Sequence, residues 1–337
     1  MTDSDQPPAP GRLSERLGEA PPEETIASLD RLTEADPDTR KRSLRAVRNI
    51  AEDRPSLFDG LAEAFARFLT DSDRAVRLTT AKLFVALARS DPAVVVPAVG
   101  TLASRVADDG EFYYVRARCV EALGYVALDH PDVVGDPEIL ADFRVGLSFD
   151  EPEVKEKLAK ALAYVTLGDP GRLRHHVESL ADHLADDSEL VRYQLGTAVV
   201  TIGCEHPEAV AAATDALRDR LDDDNSYVRG RAAEALALLA ASDHGSESLA
   251  DLAGIEPAPD DPPAFSTERV AFLRKSLEDG QDASPPDGVG TVDSVRTATD
   301  NIAETIDSPD SETECPHCGL ELPDCGPPMC PQCGAPR

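Results

Sequence analysis

The feature that most limits what this chain can fold into is a motif that returns six times: a branched apolar residue or Thr, then Arg or Lys, then an alanine-rich apolar stripe. Its first position falls at Thr39, Val76, Val115, Val154, Val191 and Val228, giving intervals of 37, 39, 39, 37 and 37 residues. The cations that follow are Arg40, Arg77, Arg116, Lys155, Arg192 and Arg229. Eight residues after each start stand Val47, Phe84, Leu123, Leu162, Val199 and Leu236, and eleven after it Ile50, Leu87, Val126, Val165, Ile202 and Leu239. Spacings of three, four and seven residues place these on one face of an amphipathic helix. Sixteen residues after the start comes Pro55, Pro92, Pro131, Pro170 or Pro207, in five copies of six. Proline suits the first turn of a following helix, where its missing N–H has no partner to lose. Each unit therefore reads as two helices.

A helix pair of this size buries its apolar stripe only against its neighbours, so a self-similar period near 40 residues predicts an α-solenoid. The residues Asp73-Arg-Ala-Val76-Arg77 and Val115-Arg-Ala-Arg-Cys-Val-Glu-Ala-Leu-Gly124 resemble the HEAT-repeat, or armadillo-like, family over residues 22–241. The expected fold is all-α, an alpha-alpha superhelix of about six helix pairs, followed by a small C-terminal zinc ribbon. Residues 1–21, with Pro7, Pro8, Pro10 and Pro21, read as a mostly disordered lead-in. Residues 242–314 read as an acidic linker, with Pro257, Pro259, Pro262 and Pro263 marking an extended stretch rather than a seventh repeat. Apolar spacing predicts short helices over Ser266–Asp279 and Ser294–Ser308, compatible with capping the solenoid or with loose tethering.

Five of the seven cysteines fall in the last 23 residues, as Cys315-Pro-His-Cys318-Gly, Cys325 and Cys330-Pro-Gln-Cys333-Gly. Two Cys-x-x-Cys knuckles eleven residues apart bring four thiolates to one tetrahedral ion, and Gly319 and Gly334 let the backbone turn behind each pair. The knuckles resemble those of zinc-ribbon domains, which by position makes Cys315, Cys318, Cys330 and Cys333 the ligands of one structural zinc. Iron in a rubredoxin-like site uses similar geometry, and Cys325 is either a loop thiol or a competing ligand. His317 reads as a knuckle spacer. Cys119 and Cys204 lie in second helices and read as buried structural thiols.

The formal net charge is −31, from 64 acidic and 33 basic residues, and only six of the basic residues are Lys. Such a surface resembles haloarchaeal proteins, in which carboxylates maintain hydration while salt screens their repulsion. Residues 1–23 do not resemble a signal peptide and no apolar run reaches the length of a membrane span, giving the expectation of a cytoplasmic protein. The charge is segregated. The twelve residues after each motif start together hold 15 basic residues and three acids, Glu121, Glu156 and Glu234. The family resemblance places second helices on the concave side and pairs the cation after each start with Asp in neighbouring turns such as Asp73.

Arg42, Arg118, Lys157 and Arg231 share the third offset from the start, and Arg45, Lys82 and Lys160 share the sixth. Offsets three apart lie together on a helix, so these seven predict a solvent-facing basic band. A band of this kind suits an acidic peptide or protein, or alternatively a nucleic-acid backbone. Tyr125, Tyr164 and Tyr193 are the sparse aromatic candidates for base stacking. His130 and His206 share an offset with Arg54 and Asp91 and read as turn or cap residues, while His175, His176 and His183 lack the four-residue spacing of a metal-binding helix. No phosphate loop, nucleophile elbow or paired-carboxylate motif is present, and no small-molecule substrate is implied. The sequence thus predicts a non-enzymatic scaffold or adaptor with a zinc ribbon as a second module, with a nucleic-acid-associated protein using the basic band, or a HEAT-like enzyme, as the alternatives.

Overall fold

The computed structural model describes residues 10–243, 249–256 and 265–307, and the cysteine cluster lies outside them. Every described element is helical. The six motif copies lie in six helices: α3 (Pro37–Ala51), α4 (Arg74–Ser90), α5 (Tyr113–Asp129), α6 (Pro152–Gly168), α7 (Glu189–Glu205) and α8 (Ser226–Ala240). Each packs on the next, with Val47, Phe84, Leu123, Leu162, Val199 and Leu236 fully buried along the row. Gly168 marks the tightest fit, since a Cβ there would sit 2.4 Å from the carbonyl oxygen of Ala127.

The starts of these helices are fixed locally. Asp36, Asp73, Ser188 and Asn225, each three residues before its motif start, accept a hydrogen bond from the first-turn backbone and cap α3, α4, α7 and α8. The recurrent prolines open the next helical segment, as the sequence predicts. Those outer segments are not single helices. They break into short α and 3-10 pieces, for example Pro92–Val95, Val96–Ala98 and Val99–Val106, with Pro97 at the interruption.

The row is longer than the sequence motif at both ends. α1 (Pro10–Glu19) lies in the segment expected to be disordered, yet it packs on α3 with Leu13 and Leu17 buried. α2 (Pro22–Thr33) is the outer element between them. At the other end, α9 (Phe265–Asp279) stacks on α8 as a further row member, preceded by a 3-10 turn over Ala250–Gly254. It thus takes the capping role rather than the tethered one. α10 (Val292–Asp307) does something else: it lies across α6 and α7 instead of extending the row.

In the first five copies the cation after the motif start links one repeat to the next. Arg40 donates to Asp71 at 2.8 Å, Arg77 is bidentate to Glu111 at 2.9 Å, Lys155 meets Asp186 at 2.6 Å, and Arg192 is bidentate to Asp223 at 2.8 and 2.9 Å. Arg116 instead places its guanidinium over the Phe149 ring, 4.7 Å from the centroid. Asp73 is therefore a helix cap, and Asp71, two residues earlier, is the ion-pair partner. The paired acids also accept backbone N–H groups, Asp71 from Asp73, Asp186 from Ser188 and Asp223 from Asn225. Arg77, Arg192 and Arg229 donate back to the loop carbonyls of Asp71, Asp186 and Asp223. Each rung thus ties two loops.

Removing one partner of a buried pair strands the other charge, which costs more than an exposed pair is worth. The Asp223 side chain is 2% exposed, whereas the Arg67–Asp30 pair is about half-exposed on both sides. Asp223→Ala should lower stability by about 3 kcal/mol, and Asp30→Ala by less than about 1 kcal/mol, in urea unfolding. Equal effects would remove the rungs from the stability of the row.

Candidate functional site

The band positions of the six long helices form a surface whose two halves differ. At the N-terminal end Arg42 and Arg45 are exposed and Lys82 and Arg118 are half-buried. Arg42 rests on its own helix, donating to the Asp38 carbonyl at 3.3 Å and to Thr39 at 3.4 Å. Arg48, which the offset rule does not select, joins this group: burial, then the nearby Arg45 and Arg118, push its pKa down from the ordinary guanidinium value. Arg48 thus sits in the field of neighbouring like charge.

Toward the middle the cations have internal partners. Glu121 receives Arg118 from one turn away at 2.5 Å and Lys157 from the next helix at 3.1 Å. Burial opposes its charge, but Lys157 and Arg118 outweigh that and hold its carboxyl at about 2. Glu156 accepts from Ser188 at 2.8 Å, and burial raises its pKa, with Asp307 adding like charge. Two of the three acids that interrupt these basic stretches, Glu121 and Glu234, were the sequence signal for this neutralisation. Glu121 and Glu234 both stand three residues after a band arginine, the spacing of an intrahelical pair.

At the C-terminal end the band is covered. Arg231 is fully buried, so its expected place on a solvent-facing band does not hold: α10 and α9 close over it. Its guanidinium donates to Glu234 at 2.8 Å, Tyr193 at 3.2 Å and Thr299 at 3.4 Å, and lies 5.5 Å from the Tyr193 ring centroid. Glu234 also receives Arg269 of α9 at 2.8 Å and the Gly290 N–H at 2.8 Å. Burial opposes the Glu234 charge, but Arg231 and Arg269 prevail and keep it ionised below its usual range. Gly290 reaches this position with φ +72°, a conformation that favours glycine.

Lys160 pairs with Asp300 of α10 at 3.2 Å, and the Tyr164 hydroxyl donates to the same carboxylate. The tyrosines are thus engaged: Tyr164 and Tyr193 are buried, and Tyr125 packs against Tyr164 with ring centroids 5.6 Å apart. A cavity of about 260 Å³ opens between these helices, lined by Arg89, Glu121, Lys157 and Lys160 on one side and Asp300, Glu304 and Asp307 on the other. The sequence gives no reason to bring Arg89 or α10 here.

Other candidates resolve as structural. His130 and His206 stand at the N-cap positions of short segments, without side-chain capping bonds. His176 meets Arg144 at 3.1 Å, and burial and that guanidinium lower its pKa. Cys119 is buried and Cys204 half-buried, and burial pushes both thiols up, Cys204 to about 12, where thiolate chemistry is suppressed. Among the described residues no group of His, Cys, Asp and Glu is arranged to hold a metal ion, and no helix is long and apolar enough to cross a membrane.

No family model matches the chain, and no curated protein matches it in sequence. Solved structures do share its fold. An engineered protein superposes with a TM-score of 0.59 at 19% identity, over 90% of this chain and 75% of its own. A designed armadillo repeat protein in complex with the peptide (KR)4 gives 0.53 at 17% identity, over 68% of this chain and 99% of its own. UNC-45 from Drosophila melanogaster gives 0.56 at 15% identity, over 80% of this chain and 38% of its own. The fold is an armadillo/HEAT-type solenoid.

A carboxyl whose pKa is lower in the folded state stabilises the fold above its unfolded pKa and loses that contribution as pH falls toward the folded value. For Glu121 the window runs from 4.5 down to about 2. Glu121→Gln should lower stability near neutral pH by on the order of 2 to 3 kcal/mol, with the gap to the wild type closing across that window. Urea unfolding over a pH series measures this, and a gap that does not change with pH would deny the pairing.

Proposed function

We propose that this protein is a non-enzymatic scaffold that binds an acidic segment of a protein partner along its row of long helices. One observation carries the reading. On a chain of net charge −31, the end of the row formed by α3 exposes Arg42 and Arg45, with Arg48 near enough to Arg45 and Arg118 to feel their charge. Such a cluster costs stability in the free protein and is relieved by an anionic ligand. The designed armadillo protein that shares this fold is in complex with the basic peptide (KR)4; the exposed band here carries the same sign as that peptide, so an acidic peptide is the matching ligand.

The C-terminal cysteines supply the second module of the proposal. Four thiolates from Cys315, Cys318, Cys330 and Cys333 form a closed structural donor set for zinc, a site that folds a segment too small for its own core. The ribbon would serve as an accessory contact tethered beyond α10. Purified protein should carry one zinc per chain, lost in a Cys315→Ser/Cys330→Ser variant; retention of stoichiometric metal by that variant, measured by atomic emission, would reject the ligand set.

The binding test compares a labelled Asp/Glu-rich peptide with single-stranded DNA of equal charge by fluorescence anisotropy, using the full chain over a salt series. Peptide binding that falls at least tenfold, roughly 1.4 kcal/mol, on Arg42→Ser/Arg45→Ser/Lys82→Ser supports the scaffold. Tighter binding to DNA, with a steep linear log–log salt slope, would replace the protein partner with a nucleic acid.

A further inference from the structure

α10 differs from every other long helix in the described structure because it lies over the row rather than within it. Its inward face is Val295, Thr299, Ile302 and Ala303, a stripe at helical spacing. Val295 joins the main core, but Ile302 and Ala303 close over a separate small cluster with Tyr193 and Val228. Along its flank Asp300, Glu304 and Asp307 face the cavity shared with Arg89, Lys157 and Lys160. With four carboxylates against one arginine, it is itself an acidic amphipathic helix seated on band positions.

Its fit is incomplete. Gln194 and Thr197 hold the third and sixth offsets of the fifth repeat, so they belong to the same band. They are 2% and 0% exposed, yet Gln194 Oε1 and Thr197 Oγ1 have no hydrogen-bond partner. A buried unpaired acceptor is destabilising, a defect that a better-matched occupant would remove. Asp307 stands near Glu156 as like charge, and the cavity beneath is unfilled by side chains. Beneath the helix, moreover, lies a charged group: Arg231 donates to Thr299 of α10 at 3.4 Å, so this helix supplies part of the cover over a band cation.

We propose that α10 is an internal stand-in for the partner, and that the surface of α6 to α8 beneath it binds an acidic amphipathic helix of a second protein, in competition with the chain's own helix. The proposal rests on the reading that the row binds acidic protein segments. The apolar stripe of the incoming helix takes the places of Val295, Thr299 and Ile302, and a carboxylate takes that of Asp300 on Lys160 and Tyr164. A donor on its inner face would satisfy Gln194. Because the competent surface is covered most of the time, apparent affinity is reduced by the uncovered fraction.

The probe is a labelled synthetic peptide with the sequence of residues 290–307, titrated into the full chain and into an Ile302→Asp/Ile306→Asp variant that weakens docking of α10. The variant should bind the peptide at least about tenfold more tightly than the wild type, and adding Lys160→Glu to it should undo that gain. Equal affinities, or no binding by a variant that keeps the wild-type helical circular dichroism, would overturn the proposal. Amide hydrogen exchange on the wild type supplies a measurement that needs no variant. Residues 292–307 should open at least about 100-fold more often than Ser226–Ala240, whereas equal protection would make α10 a fixed part of the fold and reject the proposal. The two readings fail separately: Arg42→Ser/Arg45→Ser/Lys82→Ser tests the open end, and Lys160→Glu in the undocked variant tests the covered one.

Discussion

The rung formed by the cation after each motif start holds the most constrained position in this solenoid. Apolar stripes alone let stacked helices slide or rotate, because burial is non-directional. A guanidinium that reaches the carboxylate of the next loop while donating to the carbonyl of its own fixes both distance and rotation. Arg77 and Arg192 do this with bidentate geometry, and the acids they meet also hold the backbone N–H that leads into the next helix. A buried pair of this kind adds little net stability over an apolar contact, so its contribution is register. At the Arg116 rung an aromatic face replaces the carboxylate, which shows that the position demands a cation acceptor rather than an acid as such.

The same rungs explain how an acidic protein tolerates so many cations along one row. Cations at the first offset are consumed within the fold, and Glu121 and Glu234 neutralise arginines one turn before them. The exposed band arginines are concentrated on α3, where Arg42 and Arg45 meet solvent and Arg48 sits in the field of Arg45. At Lys160 on α6 the neutralising charge comes from outside the repeats, from Asp300 on α10. The row therefore grades from open and cationic to covered and compensated, and the covering element has the chemistry of the ligand proposed for the open end.

Much of the fold could be read from the repeats because each copy reports on the same local environment. The positions eight and eleven residues after each start face a neighbour of similar type, and burial follows the pattern at the eighth in all six copies and at the eleventh in all but the first, where Ile50 is half-buried. The ends escaped that logic. α1 and α9 each face a repeat on one side only, so they need just a partial stripe, and their sequences do not carry the motif. Leu13 and Leu17, four residues apart, were the available signal within a proline-rich segment. The split outer segments were hidden because a single proline marks a helix start without saying how far the helix runs.

By itself the sequence determined the period, the row of long helices and the cation that follows each motif start. These follow from spacing along one helix and from contacts with a neighbour one repeat away. Only the tertiary structure decided which of the remaining cations meet solvent. Arg231 and Arg42 occupy the same offset, yet one is sealed and the other exposed, because Thr299 arrives from 68 residues away. Asp300 reaches Tyr164 across 136 residues. Periodicity fixes what a residue's own helix and its neighbour present to it, whereas coverage by a distant helix depends on where the chain returns in space.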